Sequence, residues 1–212
     1  MNKWILIALT AVLILFGCTA NRAVPKNEET EPYTGIVTKV AILPLKTIDS
    51  SSRNIQKILT VRDFDYVFTK FPQYSLLNMD EVAKQFKMSG YKDVEDLEIE
   101  EMKELSEMIG CDILVMGSIN SIRSDEFALS MRFFSAKTEE LTPLDFKVTN
   151  AREQRWKTLE TTFIAKLDDV VSNEVNKIYN IALNNYANGN YAEAEKNLIF
   201  ALGLDPNLKD AY

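Results

Sequence analysis

The sequence predicts an α/β protein: a small mixed β-sheet with packed helices, followed by a long helix and a helical hairpin. Three observations carry this. Short apolar runs alternate with helically periodic segments from Thr38 to Asp112. Three strand patterns then follow one another across short polar turns between Ile113 and Val148. From Arg155 onward, apolar residues recur every three or four positions, with no glycine or proline before Gly189.

Thr38-Lys39-Val40-Ala41-Ile42-Leu43-Pro44-Leu45 reads as a buried strand, and Pro44 marks where its ladder stops. Asp49 to Ser52 offer caps for a helix whose face is Ile55, Ile58, Leu59, Val61, Phe64, Val67 and Phe68, stopped by Pro72. Tyr74 to Asn78 reads as a second strand. Asp80 then caps a helix carrying Val82, Ala83, Phe86 and Met88, with Gly90 as its terminator. Because helices separate these two strands, they are expected to lie parallel. Asp93 to Glu107 holds eight acids in fifteen residues around helically spaced Val94, Leu97, Met102 and Leu105. It reads as a solvated helix face, since the D-x-D-x-D-G spacing of a calcium loop is missing. Residues 112–120 form the central strand, with Gly117 allowing a close backbone approach or a bulge. The 127–134 and 144–148 strands, joined by turns at 124–126 and 137–140, complete an antiparallel meander.

Composition narrows the chemistry. The chain carries a net charge of −7, which argues against nucleic acid and leaves no polybasic patch for anionic lipid. It has no histidine, so neither a Ser-His-Asp nor a Cys-His nucleophile can be assembled. No P-loop, G-x-S-x-G or metal-ligand cluster is present. The acid pairs Asp168-Asp169 and Glu139-Glu140 point apart on a helix or a turn. The expectation is a non-enzymatic protein with no cofactor and no metal. Of the two cysteines, Cys111 is expected to pack as a small apolar residue at a strand start.

The N-terminus has Lys3 followed by an apolar run from Trp4 to Phe16. The run has the length of a signal h-region and falls short of the roughly 20 residues of a spanning helix. It ends in Leu15-Phe16-Gly17-Cys18, which resembles the bacterial lipobox. The resemblance implies that Leu15 and Gly17 are read by the processing enzymes, that residues 1–17 are removed, and that Cys18 carries the lipid. The protein would then sit in the cell envelope on a lipid anchor, and more than one acyl chain makes attachment lasting. Thr19, in place of Asp, fits the outer membrane facing the periplasm by the same analogy. Residues 18–36, with Pro25, Pro32 and several acids, form the tether.

Two further resemblances cover the rest. Residues 37–150 are similar to the TolB N-terminal domain and the curli-secretion lipoprotein CsgG. The Val-Ala-Ile-Leu-Pro-Leu strand end and Ile109-Gly110-Cys111-Asp112 leading to Gly117-Ser118 carry this likeness. Ser135 to Leu141 resembles the family's Thr-Gly-Glu-Ile turn, but Glu139 stands where the family has glycine, which implies a different turn geometry. Residues 151–174 form a connecting helix.

Residues 175–212 resemble a tetratricopeptide repeat. Ile178, Ile181, Ala182 and Tyr186 supply its first helix, and Tyr191, Ala194, Leu198 and Ala201 its second. Gly189 lies in the turn and Pro206 past the end. Ala182, Gly189, Ala194, Ala201 and Pro206 fall at the family's favoured positions. Residues 208–212 look like the start of a second repeat, so the chain reads as a shortened version of a longer repeat protein.

These features point to a protein or peptide partner, bound through the repeat on a face that includes Asn184, Asn185 and Asn188. The α/β domain would serve assembly, and nothing in the sequence sets the oligomeric state. The alternative is an oligomeric export channel like CsgG. Its transmembrane strands would need about 9–11 residues. The strands at 127–134 and 144–148 look too short and carry Arg132, Asp145 and Lys147.

Overall fold

In the computed structural model, which describes residues 35–206 and 208, the first strand β1 (Thr38–Ile42) is an interior strand of a six-stranded sheet. Its order is β3-β1-β4-β5-β6, where β3 is Tyr74–Leu76, β4 Ile113–Ser121, β5 Glu126–Ser135 and β6 Glu140–Thr149. β1 pairs parallel with β3 and with β4, and the three strands β4, β5 and β6 form an antiparallel meander. Pro44 interrupts pairing without ending it. Leu43 N donates to Val115 O, and a two-residue strand β2 (Lys46–Thr47) then resumes the ladder beside Ser118 and Ile119 of β4.

The crossover from β1 to β3 runs through α1 (Arg53–Ile58), a π-helical turn at Leu59–Asp63, and α2 (Phe64–Phe68). These pack on one face of the sheet. The crossover from β3 to β4 runs through α3 (Met79–Ser89) and α4 (Ile99–Ile109) on the other. The alternation of strand residues explains the two layers. Val40, Ile42, Ile113 and Val115 face the first core, and Ala41, Leu43, Leu114 and Met116 face the second.

A continuous helical stretch follows: α5 (Arg152–Thr158), a second π-helical turn at Leu159–Ile164, and α6 (Ala165–Ala187). Leu159, Phe163, Ile164, Leu167 and Val170 lie in the first core together with the sheet and α1–α2. The N-terminal half of this helix therefore completes the α/β core. α6 then continues beyond the sheet and pairs with α7 (Tyr191–Leu204).

Several local expectations change. Asn78, not Asp80, caps α3; its side chain accepts from the N–H groups of Asp80 and Glu81 at 3.0 Å each. The acidic stretch is helical only from Ile99, where Glu98 and Glu101 form a capping box. Its earlier acids are tied down. Asp93 and Glu95 accept from Lys46 Nζ at 2.6 and 2.7 Å, and these contacts raise the lysine pKa above its usual value. Glu139 itself adopts the left-handed backbone that glycine favours, with φ 56°. β5 and β6 each span ten residues, so strand length does not count against the channel alternative. β6 exceeds its apolar stretch because it is an edge strand, where Pro143 is tolerated.

Gly117 behaves as the sequence predicts. A Cβ built there would lie 2.3 Å from Ser130 O and 2.9 Å from Met131 Cα, both on β5. Backbone atoms in a central pair cannot yield cheaply. Gly117→Ala is expected to cost about 2 kcal/mol through this overpacking. An unchanged urea midpoint for the variant would contradict the close approach.

Candidate protein-interaction site

The hairpin of α6 and α7 closes through its turn. Asn188 ends α6, Gly189 follows with φ 77°, and Asn190 leads into α7. Asn190 N donates to Asn185 O at 2.8 Å and Gly189 N to Tyr186 O at 3.0 Å. These are the two bonds of a Schellman cap, which requires a left-handed residue where Gly189 stands. Ala182, Ala194 and Ala201 are buried, and Pro206 is exposed past the end of α7. The small side chains let the two helices approach closely.

Of the partner-face asparagines, Asn184 and Asn188 are exposed and Asn185 is half-buried. Asn188 sits in the turn, and the carbonyls of Asn184 and Asn185 accept the capping bonds from Asn188 N and Asn190 N. Ile181 and Tyr186 lie on α6 and Tyr191 opens α7, as the repeat resemblance implies. Tyr186 and Tyr191 are each 64% exposed and touch edge to face at 5.4 Å, and Ile181 is 45% exposed. Leu183 and Ile199 are also exposed, so the hairpin bears several exposed apolar side chains besides the asparagines.

Besides the hydrogen bond between Tyr74 and Asp168 of α6, four contacts dock the hairpin on the α/β core. Lys177 Nζ donates to Thr138 O at 2.9 Å and pairs with Glu140. Lys137 Nζ lies 4.7 Å from the centre of the Phe200 ring. Ile36 N donates to Gly203 O at 2.5 Å, and the Ile36 side chain fills the space a Cβ on Gly203 would take. This contact satisfies a carbonyl in the last turn of α7, where intrahelical partners run out.

The fourth contact is Glu174, 3% exposed on α6, whose Oε2 accepts from Ser135 Oγ at 2.8 Å. Burial pushes its pKa up, the nearby Asp112 adds to the rise, and Ser135 and Lys137 oppose it. The native carboxyl therefore holds its proton to higher pH than the unfolded one. Its contribution is fully present below the ordinary value of about 4.3 and is lost as pH rises through the raised native value. Glu174→Gln should flatten that slope and raise stability at pH 7, as read by urea melts at two pH values. A variant whose slope stays steep would show that another group titrates.

Cys111 is buried at the start of β4, and burial pushes its thiol up to about 11, so it is a packing residue. Among the described residues no cluster could hold a metal ion, and no helix is long and apolar enough to cross a membrane. Leu15, Gly17 and Cys18, the tether up to residue 34, and residues 209–212 lie outside the described residues.

A groove of about 560 Å³ opens where the hairpin meets the sheet. Tyr74 of β3 forms one wall, and its hydroxyl donates to Asp168 Oδ1 of α6 at 2.5 Å. The C-terminal end of α7 closes the groove through Leu204 and Asp205. Sequence reading missed this site because it draws on four segments far apart in the chain.

No family model matches the sequence, and neither does any curated protein. Solved structures do show a likeness. The chain is similar to the LpoB C-terminal domain from Salmonella enterica at 12% identity, covering 56% of this chain and 87% of that one, with a TM-score of 0.39. It is similar to Lipoprotein GNA1162 from Neisseria meningitidis at 10% identity, covering 65% and 96%, with a TM-score of 0.40. It is also similar to a PelC dodecamer from Paraburkholderia phytofirmans at 8% identity, covering 62% and 92%, with a TM-score of 0.36. At these levels of likeness, function has to be read from the chain's own residues.

Proposed function

We propose that this protein is a non-enzymatic, lipid-anchored docking module of the bacterial cell envelope. The lipobox-like Leu15-Phe16-Gly17-Cys18 carries the anchoring half of the reading. Cys18 would bear the acyl chains, and Thr19 fits an outer-membrane position facing the periplasm. The TolB/CsgG-like α/β unit supplies a rigid base, and the tetratricopeptide-like hairpin presents the interaction surface. That surface draws on the exposed side chains of Leu183, Tyr186, Tyr191, Ile199, Asn184 and Asn188.

The anchoring half is tested by fractionating cells that express the full chain or Cys18→Ser. The wild type should be found in membranes with a mature N-terminal cysteine whose mass includes acyl chains. The variant should be released or retain its leader. An unprocessed wild-type N-terminus would sink the reading.

A further inference from the structure

We propose that the free edge of β6 pairs antiparallel with the β6 of a second copy of this chain, in one register centred on Phe146. The surface goes beyond the hairpin reading and uses none of the hairpin's side chains.

The edge is open. β6 ends the sheet on its side, and no strand lies beyond it among the described residues. The ladder to β5 fixes which groups point outward. Asn150 N donates to Asp125 O, one step past the Glu126–Thr149 pair. Hydrogen-bonded pairs alternate along an antiparallel ladder, so the even-numbered residues of β6 are the ones bonded to β5. Leu141, Pro143, Asp145, Lys147 and Thr149 therefore turn their backbone groups to the free edge. The side chains of Pro143, Asp145 and Lys147 are exposed on the same face, where Lys147 Nζ also lies 3.6 Å from Glu126 Oε1.

A proline and charges ordinarily blunt an edge. Here they select among the two-fold registers that use most of the strand. Copies related by a two-fold axis pair about a common centre, outward residue against outward residue. Centring on Asp145 or on Lys147 sets two like charges directly opposite each other. Centring on Pro143 or Leu144 puts Pro143, which has no N–H, in the middle of the ladder. Centring on Phe146 sets each Asp145 opposite Lys147 of the second copy, with both backbone bonds available and opposite charges in contact. Pro143 then falls near the end of the ladder, opposite Thr149. The Thr149 carbonyl needs no donor from it, because Arg155 Nη1 already donates there at 3.0 Å. On the other face Leu144 meets Val148, and all of Leu144, Phe146 and Val148 belong to the first core or pack against it. The apolar layer thus continues across the axis.

Two paired edges bury little area beside the roughly 1,200 Å² of a stable interface. The chain is therefore monomeric in a dilute extract and pairs where a membrane concentrates it, a step that rests on the anchored reading.

The test co-expresses full-length Asp145→Cys and Lys147→Cys chains carrying different tags and places them in phospholipid vesicles under mild oxidation. Opposed positions have Cα atoms about 5.5 Å apart, within disulfide reach, whereas two copies of the same variant set the thiols on a diagonal of roughly 7–8 Å. Disulfides between different tags should exceed those between like tags about fivefold, with the wild type, which keeps Cys18 and Cys111, as background. Acyl chains or an uncleaved leader would hold the chain in a vesicle alike, so failure of the anchored reading and failure of the pairing are separate results. Sedimentation of the concentrated full chain in mild detergent reads the charges. Asp145→Lys should raise the dimer Kd about fivefold, and Glu195→Lys, the same change on an exposed position of α7, should leave it nearly unchanged. Equal like-tag and mixed-tag disulfides, none above background, or equal effects of Asp145→Lys and Glu195→Lys would overturn the proposal.

Discussion

Replacing Asp63 by alanine is expected to destabilise the protein by about 3–5 kcal/mol, because it leaves the buried Arg155 charge uncompensated; Arg155→Ala should cost less, since the half-exposed Arg62 still approaches Asp63 Oδ1 at 3.4 Å. Asp63 is fully buried and Arg155 is 1% exposed. Arg155 Nε pairs with Asp63 Oδ2, and its Nη1 donates to the carbonyls of Thr149 and Asn150 at 3.0 and 2.9 Å. Trp156 Nε1 donates to the other Asp63 oxygen at 2.8 Å, and its ring stacks on Tyr66 at 3.7 Å. This network joins the first helical segment, the end of β6 and the start of the long helix. It fixes how the long helix sits on the sheet, and hence where the hairpin emerges. Asp63→Leu combined with Arg155→Met should recover part of the loss, since no lone charge remains buried. Urea denaturation followed by circular dichroism measures both effects. An Asp63→Ala variant within about 1 kcal/mol of the wild type would show that the pair is not held dry.

Phe163→Ala is the second large effect, expected at about 3–5 kcal/mol. Phe163 is fully buried, with its ring 5.1 Å from those of Phe64 and Phe133 and 6.2 Å from that of Phe68. It joins the long helix to the first helical segment and to β5 in one aromatic cluster. A small loss would mean that the long helix is a detachable connector. A large one would show that the α/β unit is incomplete without it, and the same denaturation experiment decides between the two.

Much of the fold was legible because local signals agreed with tertiary packing. The apolar run at Ile113–Met116, the alternation across β5, and Gly117 all pointed to a crowded central strand. Gly189 and the buried alanines marked the hairpin because few other residues satisfy a left-handed cap or a close helix pair. Boundaries were less legible. Asn78 was hidden by the nearby Asp80, and the acids at 93–98 continued a helical pattern into a loop that Lys46 holds.

The buried ion pair was overlooked although it left a trace. Asp63 falls on the stripe Ile55, Leu59, Val67, and Arg155 falls on the stripe Leu159, Phe163. A charge at a core position on each of two helices is a reciprocal signal that each expects the other. The groove left no such trace, because its walls are distant in sequence and become neighbours only through the packing of α6 on the sheet.

The most direct test of the docking-module reading is the native mass of the full-length protein extracted in mild detergent, with the composition of whatever co-purifies. The expected result is a monomer or a defined complex with a different envelope protein. A large closed homo-oligomer would contradict the reading and favour the export-channel alternative.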